Sequence, residues 1–379
     1  MRLNLVAALG AILALGGLVR PWAQAQAPLA LPQVTPWALW PLVVLGAGGL
    51  VLAVLRPRWA AVALLLAGLT GAFLALLVFK QAVHSGYTTP ALPGYWTSFY
   101  GCLLVVVGAL GRLGVLVGRD RTTHFLRDVL PPAAVPFLVL LLWEGLVEGH
   151  RIPRAIFPKM SDVYQVLVSA NSVLLRDSSR TFVREVLFGY ALGVSAGLVL
   201  GTLVAFSPFL RRGFLPLATA SSAVPIVGLA PVLGRAFGVD WQSKAAVVVV
   251  ISFFPMLVNV VQGLNSVEPL ELDLLRSYAA TPGEVFRKLR FPNALPYIFN
   301  ALKVAAILAL ISVIVAEFLI PGPPEGLGQR ISLSARSGGY DVTFATIAFA
   351  SVIGIGSYSV VAALERLFTF WHSSFREGN

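Results

Sequence analysis

The segment TPGEVFRKLRFPNALP, which begins at Thr281, places four charged residues between two long apolar stretches. Thr281 suits a helix N-cap, Pro282 suits the first helical position, and Glu284 stands where a capping box has its acid. The pattern predicts a short helix that ends near residue 290, followed by a proline-marked lead into the next apolar stretch. Residues 268–280 have the propensity for a second short helix. Two short helices joined by a turn are suited to docking on a partner protein, but an ordinary positively charged membrane loop has the same composition.

Residue types that could perform catalysis or bind a metal form no recognisable motif elsewhere. The four histidines are scattered, and the single cysteine, Cys102, excludes an intrachain disulfide and a cysteine metal cluster. No G-x-x-x-x-G-K-[ST] phosphate loop occurs, since GRAFGVDWQSK at 234–244 has glycines and a lysine at the wrong spacing. No G-x-S-x-G nucleophile motif occurs either. We therefore predict that the chain is not an enzyme and holds no cofactor or metal.

The composition is that of a membrane protein. Of 379 residues, 57% are hydrophobic and 12% are charged, and the mean hydropathy is +0.83, whereas a soluble domain is about a quarter charged. Apolar runs of about 20 residues recur, which predicts an all-α, polytopic helical membrane protein. Membrane proteins carry excess lysine and arginine in their cytoplasmic loops, and this explains the net charge of +11 better than nucleic-acid binding does. About ten candidate spans are predicted, at 3–19, 37–55, 59–79, 96–118, 131–147, 186–210, 213–234, 245–264, 297–320 and 343–364.

The loops predict an orientation. Alternating spans with a cytoplasmic N-terminus put slightly more lysine and arginine on the inner side, so both termini are expected in the cytoplasm of a cell (inner) membrane protein. The first residues, MRLNLVAALGAILALGGLVRPWAQAQA, have a second interpretation, because a basic start, an apolar stretch and a small-residue cleavage pattern are typical of a signal peptide. The sequence leaves open whether residues 1–26 are cleaved.

A polar stretch, GRDRTTHFLRD at 118–128, marks a boundary. Before it lie about four plain spans without an intramembrane acid, and after it come six spans with longer polar connections. We expect residues 1–118 to be an accessory membrane region and residues 125–376 to be the functional core, with a cytoplasmic loop at 265–296.

Several stretches of the core resemble binding-protein-dependent ABC importer permeases of the nitrate, sulfonate and taurine type. They occur in family order and read AVPIVGLAPVL, SKAAVVVVISFFPMLVNVVQGL, LLRSYAAT, KLRFPNALPYIFNALKVA, VAEF and GLGQRI. The family's cytoplasmic motif is Glu-Ala-Ala, three residues, Gly, nine residues, Ile, one residue and Leu-Pro. Aligned on Pro292, which alone is identical, the corresponding residues here are Asp273, Leu274, Leu275, Ala279, Leu289 and Phe291.

This resemblance implies a permease subunit that forms a solute path and is coupled to a separate ATPase. It implies as partners two copies of the ATP-binding subunit, an extracytoplasmic solute-binding protein, and a second permease chain of the same or a related kind. The solute would be nitrate, a sulfonate or taurine, or an aromatic nutrient such as a thiamine-precursor pyrimidine. An ATP-independent secondary transporter or channel is the alternative. The residues expected to couple to the ATPase are Asp273, Ala279, Ala280, Thr281, Gly283, Glu284, Phe286, Leu289 and Pro292.

Polar and proline residues inside the spans are candidates for the solute path. Glu317 is an intramembrane acid, a type that often faces an aqueous path, although a structural hydrogen bond is the more ordinary role. Pro225 and Pro255 permit bends that either assist gating or merely improve packing. Lys303 is expected to extend toward the cytoplasm. Phe286 and Leu289 supply apolar docking anchors or pack back on the membrane helices.

Overall fold

The protein is helical throughout its described part. The computed structural model describes residues 5–18, 57–84, 93–114, 125–221 and 225–369 except positions 321 and 323. These residues contain no β-strand, which confirms the predicted all-α class. The predicted span 37–55 and the cleavage pattern of the possible signal peptide lie outside the described residues. The chain forms two compact units, Met1–Val163 and Tyr164–Asn379.

Close helix contacts and an aromatic cluster build the first unit. Its described helices are α1 (Leu5–Leu18), α2 (Pro57–His84), α3 (Pro93–Gly114) and α4 (Leu130–Gly149), the last entered through a π-helical turn at Phe125–Val129. A Cβ on Gly108 of α3 would stand 2.7 Å from the backbone nitrogen of Ala7 of α1, so only glycine allows this approach.

Helix α4 belongs to the first unit although the sequence assigned it to the functional core. The buried Tyr95 of α3 donates its hydroxyl to the Gly145 carbonyl of α4 at 3.1 Å. Lys80 of α2 forms an ion pair with Glu144 of α4. The compact unit therefore extends past residue 118, because this hydrogen bond and this ion pair hold α4 against α3 and α2. Where the functional core begins stays a prediction.

The second unit contains the remaining helices. Helix α5 (Met160–Ser169) includes the division between the units. It is followed by α6 (Asn171–Ser178), α7 (Phe188–Phe206), α8 (Pro208–Ser221), α9 (Ile226–Phe237), α10 (Trp241–Asn265), α11 (Pro269–Ser277), α12 (Pro282–Val285), α13 (Phe291–Leu319), α14 (Leu327–Arg336) and α15 (Tyr340–Phe368). π-Helical stretches at Ser179–Leu187 and Phe286–Arg290 join α6 to α7 and α12 to α13.

A glycine row on α7 lets it pack closely on α10. Gly189, Gly193, Gly197 and Gly201 recur every fourth residue and therefore lie on one face. A Cβ on Gly193 would stand 2.5 Å from the carbonyl oxygen of Val249. In a bilayer, such small residues permit the backbone approach that van der Waals packing needs. This row therefore holds α7 and α10 together within the second unit.

Six described segments are long and apolar enough to cross a membrane, which fits the predicted polytopic class. They are Ala61–Gln81, Arg127–Gly149, Asn171–Phe206, Trp241–Asn265, Pro282–Leu319 and Tyr340–Phe368. Tyr95–Gly111 and Val227–Phe237 are shorter apolar helices. The total of about ten spans stays a prediction.

The predicted span 213–234 is not one helix. Helix α8 is described to Ser221, and α9 begins anew at Ile226. Pro225 is extended, with φ −70° and ψ 119°, immediately before α9. Proline has no N–H to donate and disfavours helical geometry in the residue before it, so a helix starts here more readily than it continues.

The helix that begins at Pro282 also differs from the prediction, because it does not end near residue 290. It runs without a break from Pro282 to Leu319, over 38 residues. The π-helical turn Phe286–Arg290 lies just before Pro292, and Phe291 N–H donates to the Phe286 carbonyl. A π-helical turn relieves the crowding that a proline imposes on the preceding helical turn, so Pro292 lies within the helix instead of ending it.

Candidate functional site

A left-handed residue, Ala279, closes the turn between α11 and α12. Its φ is 53°, in the region that glycine occupies without strain. The Ala279 N–H donates to the Arg276 carbonyl at 2.9 Å, and the Ala280 N–H donates to the Leu275 carbonyl at 3.1 Å. These two bonds form the Schellman ending of a helix, whose left-handed position is usually glycine. The geometry explains why a glycine is suited to this position.

Capping boxes start both helices of the loop. Thr281 Oγ1 accepts from the Glu284 N–H at 3.4 Å, and the Thr281 N–H donates to the Glu284 carboxylate at 2.9 Å. Glu284 also pairs with Lys288 at 3.3 Å. The predicted cap of α12 is therefore confirmed. At α11, Glu268 and Glu271 form a second capping box, in which the Glu268 N–H donates to the Glu271 carboxylate at 3.3 Å.

Phe286 is directed toward the membrane helices. Its half-buried ring lies 5.8 Å from the ring of Phe206 at the end of α7 and 5.9 Å from the ring of Phe291. The guanidinium carbon of Arg290 lies 5.4 Å from the centre of the Phe206 ring. This packing favours the alternative in which Phe286 fastens the loop to α7. Leu289 is also half-buried.

The exposed apolar surface of the loop lies on α11 and its C-terminal cap. Leu270, Leu274 and Tyr278 are 78%, 58% and 77% exposed. Their spacing of four residues puts them on one helix face. Sequence analysis missed this stripe, although its spacing is visible in EPLELDLLRSYAA.

The other predicted coupling residues lie on the same helix pair. Asp273 is exposed and pairs with Arg276 at 3.4 Å. Gly283 is exposed, whereas Ala280 and Pro292 are half-buried. The structure thus brings these residues together between α11 and the first turns of the long helix that contains α13.

Glu317 fastens the start of α14 to the far end of that long helix. The residue is 1% exposed. Its carboxylate accepts from the Thr181 hydroxyl at 2.7 Å, from the Gly328 N–H, and from the Gln329 N–H at 3.2 Å. Thr181 in turn accepts from the Leu327 N–H at 2.8 Å. A carboxylate is favourable at a helix N-terminus. These contacts fit the structural role, and a role in the solute path stays a prediction.

A second buried acid lies beside Glu317. Glu185 is 1% exposed, and its carboxylate oxygens accept no hydrogen bond from the described residues. It neighbours Glu317 and lies within electrostatic reach of Lys244, whose Nζ donates to the Val239 carbonyl at 2.9 Å. No sequence signal indicated this cluster, because the three side chains come from three separate helical segments. Within the described residues, no group of three or more histidine, cysteine or acidic side chains is arranged to hold a metal ion.

The remaining candidates have other hydrogen-bond and ion-pair partners, or none that involves Glu317. Pro255 is inside α10, as predicted, and its carbonyl accepts from the Asn259 amide at 2.8 Å. Pro225 precedes α9 rather than lying within a helix. Lys303 pairs with Glu365 of α15 at 2.7 Å, and the lysine side chain is 18% exposed. The predicted extension of Lys303 toward the cytoplasm stays a prediction, and its partner Glu365 lies in the last turn of α15.

An apolar cavity of about 720 Å³ lies between α13 and α15. Most of the residues that line it are apolar, such as Phe318, Ile311 and Ile347. The side-chain hydroxyls in its lining belong to Ser351 and Tyr358. No charged side chain is among the described residues that line it. The cavity suits an uncharged, largely apolar molecule better than a small oxyanion.

Comparisons with known proteins agree with this arrangement. The profile of the family described as "Binding-protein-dependent transport system inner membrane component" matches residues 193–369. A "Probable ABC transporter permease protein" of Haemophilus influenzae is 29% identical over 219 residues, which cover 58% of this chain and 88% of the relative. The "Formylaminopyrimidine transport permease protein ThiX" of Halalkalibacterium halodurans is 28% identical over 247 residues, 64% of this chain and 96% of the relative. The "Nitrate import permease protein NrtB" of Leptolyngbya laminosa is 23% identical over 249 residues, which cover 64% of this chain and 87% of the relative.

The matched region contains α10 to α15, including the capped helix pair and Glu317. Members of this family are inner-membrane transport components rather than catalytic subunits, and they work with ATPase and solute-binding partners. The helical, polytopic architecture, the family profile over residues 193–369 and the relatives together support an ABC importer permease.

Proposed function

We propose that this permease forms the solute path of its importer and that residues 265–296 couple the path to a separate ATPase subunit. ATP hydrolysis then takes place in the partner. The complete importer would contain two permease chains, two ATPase subunits and one extracytoplasmic binding protein. The observation that carries the proposal is the continuity of the capped segment at Thr281 with the membrane helix that ends at Leu319.

A continuous helix is suited to transmit motion. Its 38 residues correspond to about 57 Å at 1.5 Å per residue, whereas the hydrocarbon core is about 30 Å thick. The polar first turns therefore extend well beyond the hydrocarbon. A displacement applied near Thr281 moves the helix as a rigid body, which is how domain closure is carried between packed elements. Glu317, near the other end, fastens α14 to the same rod.

The exposed stripe Leu270, Leu274 and Tyr278 supplies the apolar contact with the ATPase. Apolar and aromatic side chains at the centre of an interface carry most of its binding energy, and charged residues form its rim. Asp273, Arg276 and the exposed backbone at Ala279 surround the stripe. In this proposal Phe286 positions the loop through Phe206 instead of contacting the partner.

The test is co-purification of the ATPase with the double variant Leu270→Ala/Leu274→Ala. Because both side chains are exposed, the fold should be retained while ATPase binding weakens at least about tenfold. Leu333→Ala on α14 is the matched control, since Leu333 is 61% exposed and lies outside the loop. Ala279→Trp should also obstruct docking. Normal ATPase binding and solute uptake by both loop variants would refute the coupling assignment.

We further propose an uncharged aromatic nutrient as the solute, in preference to nitrate or a sulfonate. The apolar cavity between α13 and α15 supports this choice, as does a relative named for formylaminopyrimidine transport. The test is ATP-driven uptake by vesicles that hold the complete importer, with a formylaminopyrimidine or nitrate as solute. Uptake of nitrate but not of the pyrimidine would overturn the assignment and leave the coupling proposal intact.

Residues 1–118 would then be an accessory region, residues 125–376 the transport core, and both termini cytoplasmic. A chain that begins near residue 120 should still bind the ATPase if it carries Glu144→Gln, because this change removes the charge that Lys80 otherwise neutralises. Loss of ATPase binding by this inserted chain would show that the transport core begins before residue 120.

The orientation of the loop in the membrane is testable with Ser277→Cys, since the native Cys102 is buried. The new thiol should react with an impermeant reagent only from the cytoplasmic side.

A further inference from the structure

A cavity beside the coupling loop lies where α7 ends and α8 begins. Its volume is about 740 Å³. Arg211 and Arg212 line it together with Phe206, Leu215 and two prolines. It therefore combines guanidinium groups with apolar walls, the two kinds of surface that a lipid headgroup and its acyl chains contact.

The positive charge at this cavity is uncompensated within the described residues. Neither Arg211 nor Arg212 forms an ion pair with a described carboxylate, and both are exposed. The first turn of α8 contains no acidic residue. A third cation, Arg290, lies over the ring of Phe206, which lines the cavity, and donates to the Leu264 carbonyl at 3.4 Å. Its charge therefore adds to the positive potential at the cavity. Arginine is the side chain best suited to bidentate binding of phosphate.

The cavity lies at the end of a candidate membrane span, where lipid headgroups are expected. The membrane-spanning segment Asn171–Phe206 ends at Phe206, whose ring forms part of the cavity wall. On α8, Phe209 is 84% exposed and Leu217 is 65% exposed. Exposed apolar side chains interleaved with arginines are typical of a helix in the membrane interface. A free anion would use only the guanidinium groups, whereas a lipid would use both surfaces.

We propose that this cavity binds the phosphate of an anionic phospholipid through Arg211 and Arg212, with the acyl chains along Phe206, Leu215 and the exposed face of α8. Only the choice of leaflet rests on the proposed function, which places the coupling loop in the cytoplasm. Phe206 is also the residue on which Phe286 packs. The bound lipid would therefore lie beside the attachment of the coupling loop to α7.

The test compares Arg211→Gln/Arg212→Gln with the matched double variant Arg235→Gln/Arg336→Gln. The control removes two other exposed arginines that do not line the cavity. Each complete chain is placed in phosphatidylcholine vesicles with or without phosphatidylglycerol. Native mass spectrometry then measures retained phosphatidylglycerol. Separate measurements give the melting temperature with phosphatidylglycerol or with inorganic phosphate, and the binding of the ATPase. Two charges near an anionic lipid predict retention weaker by about thirtyfold in the first variant and little changed in the control.

Three results would overturn the proposal. Equal loss in both double variants would show general surface charge rather than a site. Inorganic phosphate that protects the chain from heating as well as phosphatidylglycerol does would show that lipid is not required. Unchanged lipid retention with lost ATPase binding would assign the arginines to the ATPase interface. Because ATPase binding is measured separately, failure of the coupling proposal would leave the lipid result interpretable.

Discussion

Replacing Ala279 with glycine should stabilise the turn between α11 and α12. The φ of 53° costs a residue with a Cβ about 1–2 kcal/mol. Glycine avoids this cost but loses about 0.5–1 kcal/mol through the greater freedom of its unfolded chain. The midpoints of these two ranges differ by about 0.75 kcal/mol, so the expected net gain for Ala279→Gly is about 0.5–1 kcal/mol, provided that the native turn is unchanged.

Amide hydrogen exchange on the complete chain measures this gain locally. The Ala279 and Ala280 N–H groups donate within the turn, so their exchange reports its opening. A gain of about 0.5–1 kcal/mol slows exchange about two- to fivefold. Ala279→Val should accelerate exchange, because a β-branched side chain tolerates positive φ poorly.

Gly283→Ala provides the matched control. A Cβ at Gly283 would meet no heavy atom within 4 Å, and its φ is outside the left-handed region. This reverse substitution should leave exchange at Ala280 unchanged. If Ala279→Gly left exchange unchanged or accelerated it, the left-handed strain at this position would be refuted. ATPase binding should persist in Ala279→Gly, in contrast to Ala279→Trp.

Substitutions in three further places test other contacts. Thr281→Ala should cost about 1 kcal/mol of helix-start stability, seen as faster exchange at the Glu284 amide, and Thr281→Ser should restore it; equal exchange in all three would contradict the cap. Gly193→Ala should destabilise the chain by about 1–3 kcal/mol through overpacking and lower its melting temperature in detergent, whereas Gly213→Ala, whose Cβ meets nothing within 4 Å, should not. Glu317→Gln should cost about 1–3 kcal/mol because an amide cannot accept from all three donors. Glu185→Gln should cost less, since no described residue donates a hydrogen bond to the Glu185 carboxyl group. A larger melting-temperature loss in Glu185→Gln than in Glu317→Gln would contradict this interpretation of the acid pair.

Local signals in the sequence were sufficient for the start of the coupling helix. Thr281, Pro282 and Glu284 interact within one helical turn, so their types and spacing decide the cap without help from distant residues. The all-α membrane class followed from apolar run length, because a bilayer requires backbone groups to be satisfied within each segment. The resemblance to ABC importer permeases followed from quoted stretches that lie in the matched region.

Other features depended on neighbours that are distant along the chain. Pro292 lies within a helix that it was expected to end, because a π-helical turn precedes it. Phe286 turns inward because Phe206 provides a packing surface that no local pattern indicates. Glu317 meets Thr181, 136 residues away, and the glycine row of α7 acquires its meaning only against α10. Sequence alone therefore determined the all-α membrane class and the capped helix start at Thr281. Tertiary structure decided which side chains face a partner and which hold the helices together, because that choice depends on surfaces brought together only by folding.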